Sequence, residues 1–242
     1  NSKAFICDLR VLKGTALYTS NFTPPTAPLT AITNTKLLLN MADGQAIDST
    51  ATTGTGVIGG NAKISTGRAK FGDTSMLFAA DGDHIDLDHF DISSPSFRLR
   101  TAFTIECWVY RPGGGGAAIF TTHRLGVNTG YYLRLGAKSD GESVSWGSYG
   151  NGNGNAQDDA TATFSDNQWL HVAVVRVDTN TNGFKIYING VALGTFTDPA
   201  DYATTPYAPR VGSYDPGGNF GGNNIKAFIC DLRILKGTAL YT

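Results

Sequence analysis

The sequence has no surplus of either charge: 19 Lys and Arg stand against 20 Asp and Glu in 242 residues. A nucleic-acid binder needs a clustered cationic footprint, so no nucleic-acid partner is expected. No apolar run approaches the roughly 20 residues required to span a bilayer, and membrane insertion is not expected either. Asn1 opens without a charged and hydrophobic leader, so the chain reads as a segment of something longer. Cysteine is scarce: Cys7, Cys107 and Cys230 form an odd set unsuited to a disulfide framework, and read as small hydrophobes in strands. Signatures of catalysis are missing as well. None of His84, His89, His123 and His171 stands in HExxH or another close metal-ligand spacing, and there is no G-x-S-x-G elbow. The glycine run in "RPGGGGAA" (Arg111 to Ala118) lacks the Lys-Ser/Thr that would hold phosphate and magnesium, and reads as a hairpin loop. Helical periodicity is nearly absent.

What remains is the composition of strands and turns. Apolar residues make up 41% of the chain, charged residues 16%, and glycines number 30. Strands are expected at Lys36 to Asn40 and over Ser75 to Leu87, the latter broken by the turn Asp81-Gly82-Asp83. "AFTIECWVY" alternates Phe103, Ile105, Cys107 and Val109 on one face with Thr104, Glu106, Trp108 and Tyr110 on the other; one face suits a core and the other solvent or ligand. "QWLHVAVVRV" (Gln168 to Val177) is apolar on both faces, as a covered central strand should be, with His171 a hydrogen-bonded sheet residue. Asn189-Gly190 supplies the two positive φ values of a type I′ turn between Phe184 to Ile188 and Val191 to Phe196. The last strand should point Phe228, Cys230, Leu232 and Ile234 one way and Lys226, Asp231 and Arg233 partly the other. So many strands in one chain imply an all-β fold of two packed antiparallel sheets.

One phrase occurs twice. "KAFICDLRVLKGTALYT" occupies Lys3 to Thr19 and "KAFICDLRILKGTALYT" occupies Lys226 to Thr242, 223 positions later, with Val11 exchanged for Ile234. The spacing is that of one sandwich, so residues 1–19 are expected to be the closing strand of a preceding repeat. Residues 20–35, "SNFTPPTAPLTAITNT", carry three prolines that cannot donate to a ladder and form a linker. Residues 36–242 form the domain itself. Because the copies are nearly identical, any slot that accepts Ile225 to Leu235 must accept Ser2 to Leu12 with nearly equal energy. The expected outcomes are packing of the first copy on another chain, giving swapped dimers or filaments, or displacement of the last copy within its own domain.

"FTIECWVY", "WLHVAVVR", "IYINGV", "FICDLRILKGTALYT" and "NFTPPTAPLT" span most of Lys36 to Thr242. On these motifs the chain resembles the laminin G-like, concanavalin A-like lectin/glucanase superfamily, as found in tandem modules of marine phage structural and fibre proteins and of bacterial surface proteins. The resemblance implies a two-sheet antiparallel jelly-roll sandwich. It also implies a non-catalytic attachment module on a virion or cell surface, contacting a surface glycan or host receptor and neighbouring copies of the same domain. A purely structural module without ligand is the alternative, and a glycoside hydrolase on the same fold a second one.

The residues test these readings. Glucanases of this fold set two glutamates and an aspartate on one strand face. Here "HIDLD" offers His84, Asp86 and Asp88, with His where the nucleophilic Glu would stand and Asp in place of the longer acid. Retaining hydrolysis needs two carboxyls about 5–5.5 Å apart, so glycosidase activity is disfavoured. Sugar recognition uses aromatic faces beside amides and carboxylates. Tyr131, Tyr132, Trp146 and Tyr149 are candidate platforms, with His123, Arg124, Asn151, Asn153, Asp158 and Asp159 as polar partners. The competing reading buries one tyrosine of the adjacent pair and makes the Asn-Gly run a loop tip. Calcium, common in laminin G-like relatives, would use loop carboxylates such as Asp81, Asp83, Asp158, Asp159 and Asp215.

Overall fold

The computed structural model describes residues 4–39, 56–87, 99, 101–113, 117–122, 130–136, 143–149, 156–161, 164–180, 182–198, 209–213 and 226–241. The described residues contain strands and turns and no helix. In chain order the strands are β1 (Ala4–Tyr18), β2 (Thr35–Leu39), β3 (Val57–Gly59), β4 (Lys63–Ser65), β5 (Ser75–Phe78), β6 (His84–Asp86), β7 (Phe103–Tyr110) and β8 (Ala117–Thr121). They continue as β9 (Gly130–Leu135), β10 (Ser143–Tyr149), β11 (Ala156–Thr161), β12 (Trp169–Arg176), β13 (Phe184–Ile188), β14 (Val191–Phe196), β15 (Arg210–Val211) and β16 (Ala227–Tyr241). Two antiparallel sheets form. The larger runs β14-β13-β12-β7, then the place of β1 and β16, then β2, β5 and β4; the smaller runs β11-β10-β9-β8-β15-β6-β3.

The period of two decides what lies between them. Phe103, Ile105, Cys107 and Val109 of β7, with Leu170, Val172 and Val174 of β12, face Ile85, Phe120, Tyr131, Leu133, Val144, Trp146 and Val211 of the smaller sheet. The hairpin between β13 and β14 turns as its sequence demands, with φ of 49° at Asn189 and 81° at Gly190. Gly190 has a second reason to be glycine: a Cβ there would collide with the carbonyl oxygen of Phe22, whose N–H donates to Gly190 O at 3.0 Å.

Asp231 overturns the simple alternation expected of the last strand. It adopts a φ of 50°, and the pairing of β16 with β7 shifts register between Cys230 and Arg233. This is a β-bulge, which Asp tolerates better than most residues because its short side chain fits the left-handed region. Before the bulge Ala227 and Ile229 face the core while Phe228 and Cys230 lie on the sheet's outer face; after it, Leu232 and Ile234 face the core.

The repeated phrase fills one place twice. β1 and β16 correspond residue for residue, from Ile6 with Ile229 to Tyr18 with Tyr241. This is coincidence in space and not a ladder between neighbours: the Tyr18 and Tyr241 rings overlie one another with planes 5° apart, and a Cβ on Gly14 would fall on the Cα of Gly237. Two backbones cannot share that volume. The structure therefore describes two alternative occupants of a single slot between β7 on one side and β2 and β5 on the other. The linker is packed, with Phe22 stacked at 3.6 Å on Tyr18 or 3.3 Å on Tyr241 and Leu29 buried.

Candidate functional site

Each sheet has an outer face, and both carry ionic groups. On the larger sheet the expected solvent-facing side of β7 is closed. Glu106 is fully buried, with His171 of β12 and Arg233 of β16 beside it. Its Oε2 accepts from His171 Nε2 at 3.1 Å, which puts the imidazole proton on that nitrogen, and, when the last copy fills the slot, from Tyr241 Oη at 2.8 Å. Its Oε1 accepts from Arg10 Nε at 3.0 Å or from Arg233 in the other occupancy. Burial pulls the Arg10 guanidinium down from its ordinary pKa while the charge of Glu106 opposes that fall; burial likewise raises the Tyr241 phenol well above its ordinary value. Farther along β7, Phe71 stands edge-on to Trp108 at 5.8 Å, Lys70 Nζ lies 4.0 Å above its ring and Arg68 caps Tyr110 at 4.3 Å. Charge of this kind, enclosed and matched, belongs to the structure of the sheet.

The smaller sheet's outer face is more open. Ile85 and Val211 go to the core, so the alternation sends His84 and Asp86 of β6, and Arg210 of β15, outward. Asp86 sits opposite Arg210, which donates to it through Nε and, at 3.3 Å, through Nη2, and His84 Nε2 lies 3.3 Å from Oδ2. The His84 ring lies where a side chain on Gly59 of β3 would stand. Burial pushes the Asp86 carboxyl up, but its hydrogen bonds from His84 and Arg210, together with their charge, hold it below the ordinary aspartate value. Side-chain exposures of 17%, 22% and 17% for His84, Asp86 and Arg210 leave this triplet within reach of solvent. Farther along the same face Tyr132 lies across Gly147, where a Cβ would strike its ring, and Arg134 stands 5.8 Å from that ring.

The geometry corrects several sequence expectations. Trp146 is buried between the sheets, 5.3 Å from Tyr131 and 5.4 Å from Phe103, because Val144 and Trp146 share the core side of β10. Tyr131 is fully buried on the core side of β9. Neither ring can stack on a sugar. Tyr132 points outward but is 2% exposed, so it is not an open platform as it stands. Asp83 is not a free loop ligand for calcium: it is fully buried and accepts from the N–H groups of Asn61 at 2.7 Å, Ala79 at 2.7 Å and Ala80 at 2.9 Å, pinning the turn before β6. Asp81 lies 3.4 Å from Lys226 Nζ. Tyr149, Asp158 and Asp159 are placed by backbone alone, Asp158 opposite Trp146 and Asp159 opposite Ser145. Asp88, His123, Arg124, Asn151, Asn153 and Asp215 lie outside the described residues. No group of three His, Cys, Asp or Glu side chains able to hold a metal occurs among the described residues.

Two sets escaped the sequence reading. The Asp86–Arg210 pair joins residues 124 apart, and nothing local to Arg210 announces it. Glu106 and His171 were visible as isolated polar residues in apolar strands, a signal that each needs a partner, but not that the partner is the other.

The sequence profile of the concanavalin A-like lectin/glucanases superfamily matches residues 80–240. Among solved structures, the botulinum neurotoxin serotype G binding domain is 13% identical with a TM-score of 0.50, over 74% of this chain and 45% of the toxin domain. The binding domain of serotype D/C is 14% identical with a TM-score of 0.49, over 68% and 39%. A heptameric SAP-like pentraxin from Limulus polyphemus is 18% identical with a TM-score of 0.37, over 52% and 59%. The chain thus spans 39% and 45% of the two toxin domains, and at 13% identity the likeness to the serotype G domain is one of fold. No curated protein matches the sequence.

Proposed function

The chain belongs to the concanavalin A-like lectin/glucanases superfamily, and from that premise we propose that it is a non-catalytic binding module that contacts glycans through the outer face of its smaller sheet. The observation that carries this reading is the solvent-reachable His84–Asp86–Arg210 triplet. A carboxylate, a guanidinium and an imidazole side by side on a rigid sheet can donate to and accept from vicinal hydroxyls. The same triplet speaks against hydrolysis. Asp86 is held ionised by two partners, which unsuits it as a general acid.

We further propose that the module serves attachment on an extracellular or virion surface, within a tandem array whose preceding repeat ends at Thr19. The repeated phrase supports the array, and no described helix is long and apolar enough to cross a membrane. Glycan-array screening of the full chain followed by calorimetry tests the reading. Binding that falls at least tenfold in both Asp86→Asn and Arg210→Ala, with folding retained, supports it. Binding untouched by both places the site elsewhere, and no binding on a broad array favours a purely structural module.

A further inference from the structure

Many anchors of the slot are offered to both copies of the phrase in the same way. Ala102 O accepts from Gly14 N or Gly237 N, each at 2.8 Å, and Asn34 O from Lys13 N at 3.1 Å or Lys236 N at 3.4 Å. Thr104 Oγ1 donates to Thr15 O at 3.2 Å or Thr238 O at 3.1 Å, and accepts from Leu17 N at 2.6 Å or Leu240 N at 3.2 Å. Tyr187 Oη donates to Tyr18 O at 3.0 Å or Tyr241 O at 3.4 Å, and Asn34 Nδ2 to Thr15 Oγ1 at 3.2 Å or Thr238 Oγ1 at 3.1 Å. Glu106 takes Arg10 or Arg233. Leu9 and Leu232, both fully buried, stand opposite the same Leu39. The single hydroxyl proton of Thr104 or Tyr187 cannot be donated to both copies, and the coincident backbones could not coexist.

We propose that the chain is a strand donor as well as a strand acceptor: one copy of the phrase fills the slot, the other is displaced, and the displaced copy can fill the slot of a second copy of this chain whenever that slot is left empty. Val11 and Ile234 differ by one methylene in a buried place, a preference of about fourfold for the last copy. Both arrangements are therefore populated. The count of strands and slots fixes the stoichiometry. An intact chain has one slot and two strands, so exchange between intact chains adds no new strand–slot contact and does not drive them together. A chain whose own copies are disabled is a different matter, because it presents an empty slot with unpaired backbone on both flanks. Its partner is the surplus strand of an intact chain, a heterologous contact that closes at one to one because the disabled chain has no strand to pass on.

The test uses full-length chains. An aspartate in the fully buried Leu9 or Leu232 place disables one copy. Leu9→Asp and Leu232→Asp should each unfold cooperatively within a few degrees of the parent, because the other copy takes the slot. The double variant should show a loss far larger than the two single shifts together, or no cooperative transition at all. If Leu232→Asp is as damaging as the double variant while Leu9→Asp is silent, only the last copy fills the slot and the proposal fails. A harmless double variant also overturns it. Excess intact chain mixed with the double variant should then restore cooperative unfolding and yield a one-to-one complex by light scattering. Absence of that complex removes the second copy as partner.

Discussion

The outer faces of the two sheets carry similar chemistry and opposite fates. Glu106, His171 and Arg233 lie fully buried under the linker and the closing tyrosine, while His84, Asp86 and Arg210 keep about a fifth of their side-chain area in water. In the first set each group is held because removal of its partner would strand a charge away from water. In the second, water can replace a lost partner. The difference separates ionic groups sealed inside the sandwich from those within reach of solvent, a distinction that residue type alone does not give.

The largest expected effect breaks the closed face. Glu106→Gln leaves one of the two arginines and His171 facing a neutral amide, and breaking a buried pair of this kind should destabilise by about 3–5 kcal/mol in denaturant unfolding. Trp146→Ala should fall in the same range, about 3–5 kcal/mol, as an aromatic removed from a core. A Trp146→Ala chain that stays fully stable would mean that this ring lies outside the core. Asp86→Asn, by contrast, should change stability by less than about 1 kcal/mol. If Glu106→Gln and Asp86→Asn have equal effects on unfolding, the two faces do not differ as described.

A smaller effect tests the cover. Phe22 stacks on the closing tyrosine in either occupancy and stands 5.4 Å from Tyr187 and 5.5 Å from His171. Phe22→Ala should cost about 1–2 kcal/mol through lost stacking and burial. It should also speed hydrogen exchange at the backbone N–H of residue 22, which donates to Gly190 O, and at that of Ala192, which donates to Asn21 Oδ1. Unchanged exchange there would show that the linker is not the lid of the buried network.

How much of this was legible in the sequence depended on the range of the forces involved. Asn189-Gly190 announces its turn because the φ values are set within two residues. The inward and outward residues of β7 follow from the pleat, so Phe103, Ile105, Cys107 and Val109 were readable as core. The outward residues of β7 read as open because the cover of Trp108 and Tyr110 comes from Arg68, Lys70 and Phe71, a segment with no strand pattern of its own. The flip at Asp231 was hidden because one residue in a left-handed conformation reverses the face of all that follow, and an Asp inside a strand does not reveal its φ. Trp146 and Tyr131 looked like sugar platforms in an aromatic and amide-rich stretch. Their side of the sheet depends on which residues of β9 and β10 pair, Trp146 with Leu133 and Ser148 with Tyr131, and that register is not written locally. The shared slot was the reverse case, since near-identity of two segments carries its consequence whatever the distance between them.

The smallest expected effect sharpens the open face, and its sign follows from the shift at Asp86. Burial raises that carboxyl, yet hydrogen bonds and charge from His84 and Arg210 lower it further, so the folded value lies below the ordinary 3.8. The unfolded chain then takes up a proton before the folded one does as pH falls. The stability contributed by the ionised carboxylate is fully present above the ordinary value, declines below it, and is gone once the pH has passed the folded value. For a pair this exposed the amplitude should stay within about 1 kcal/mol. Arg210→Ala removes the main cationic partner, so the difference in unfolding free energy between parent and variant should narrow as the pH is lowered from 6 to about 2. A difference that stays constant over that range would mean that Arg210 does not hold the Asp86 carboxylate ionised, and with it the proposal that the charged triplet recognises a ligand would lose its support.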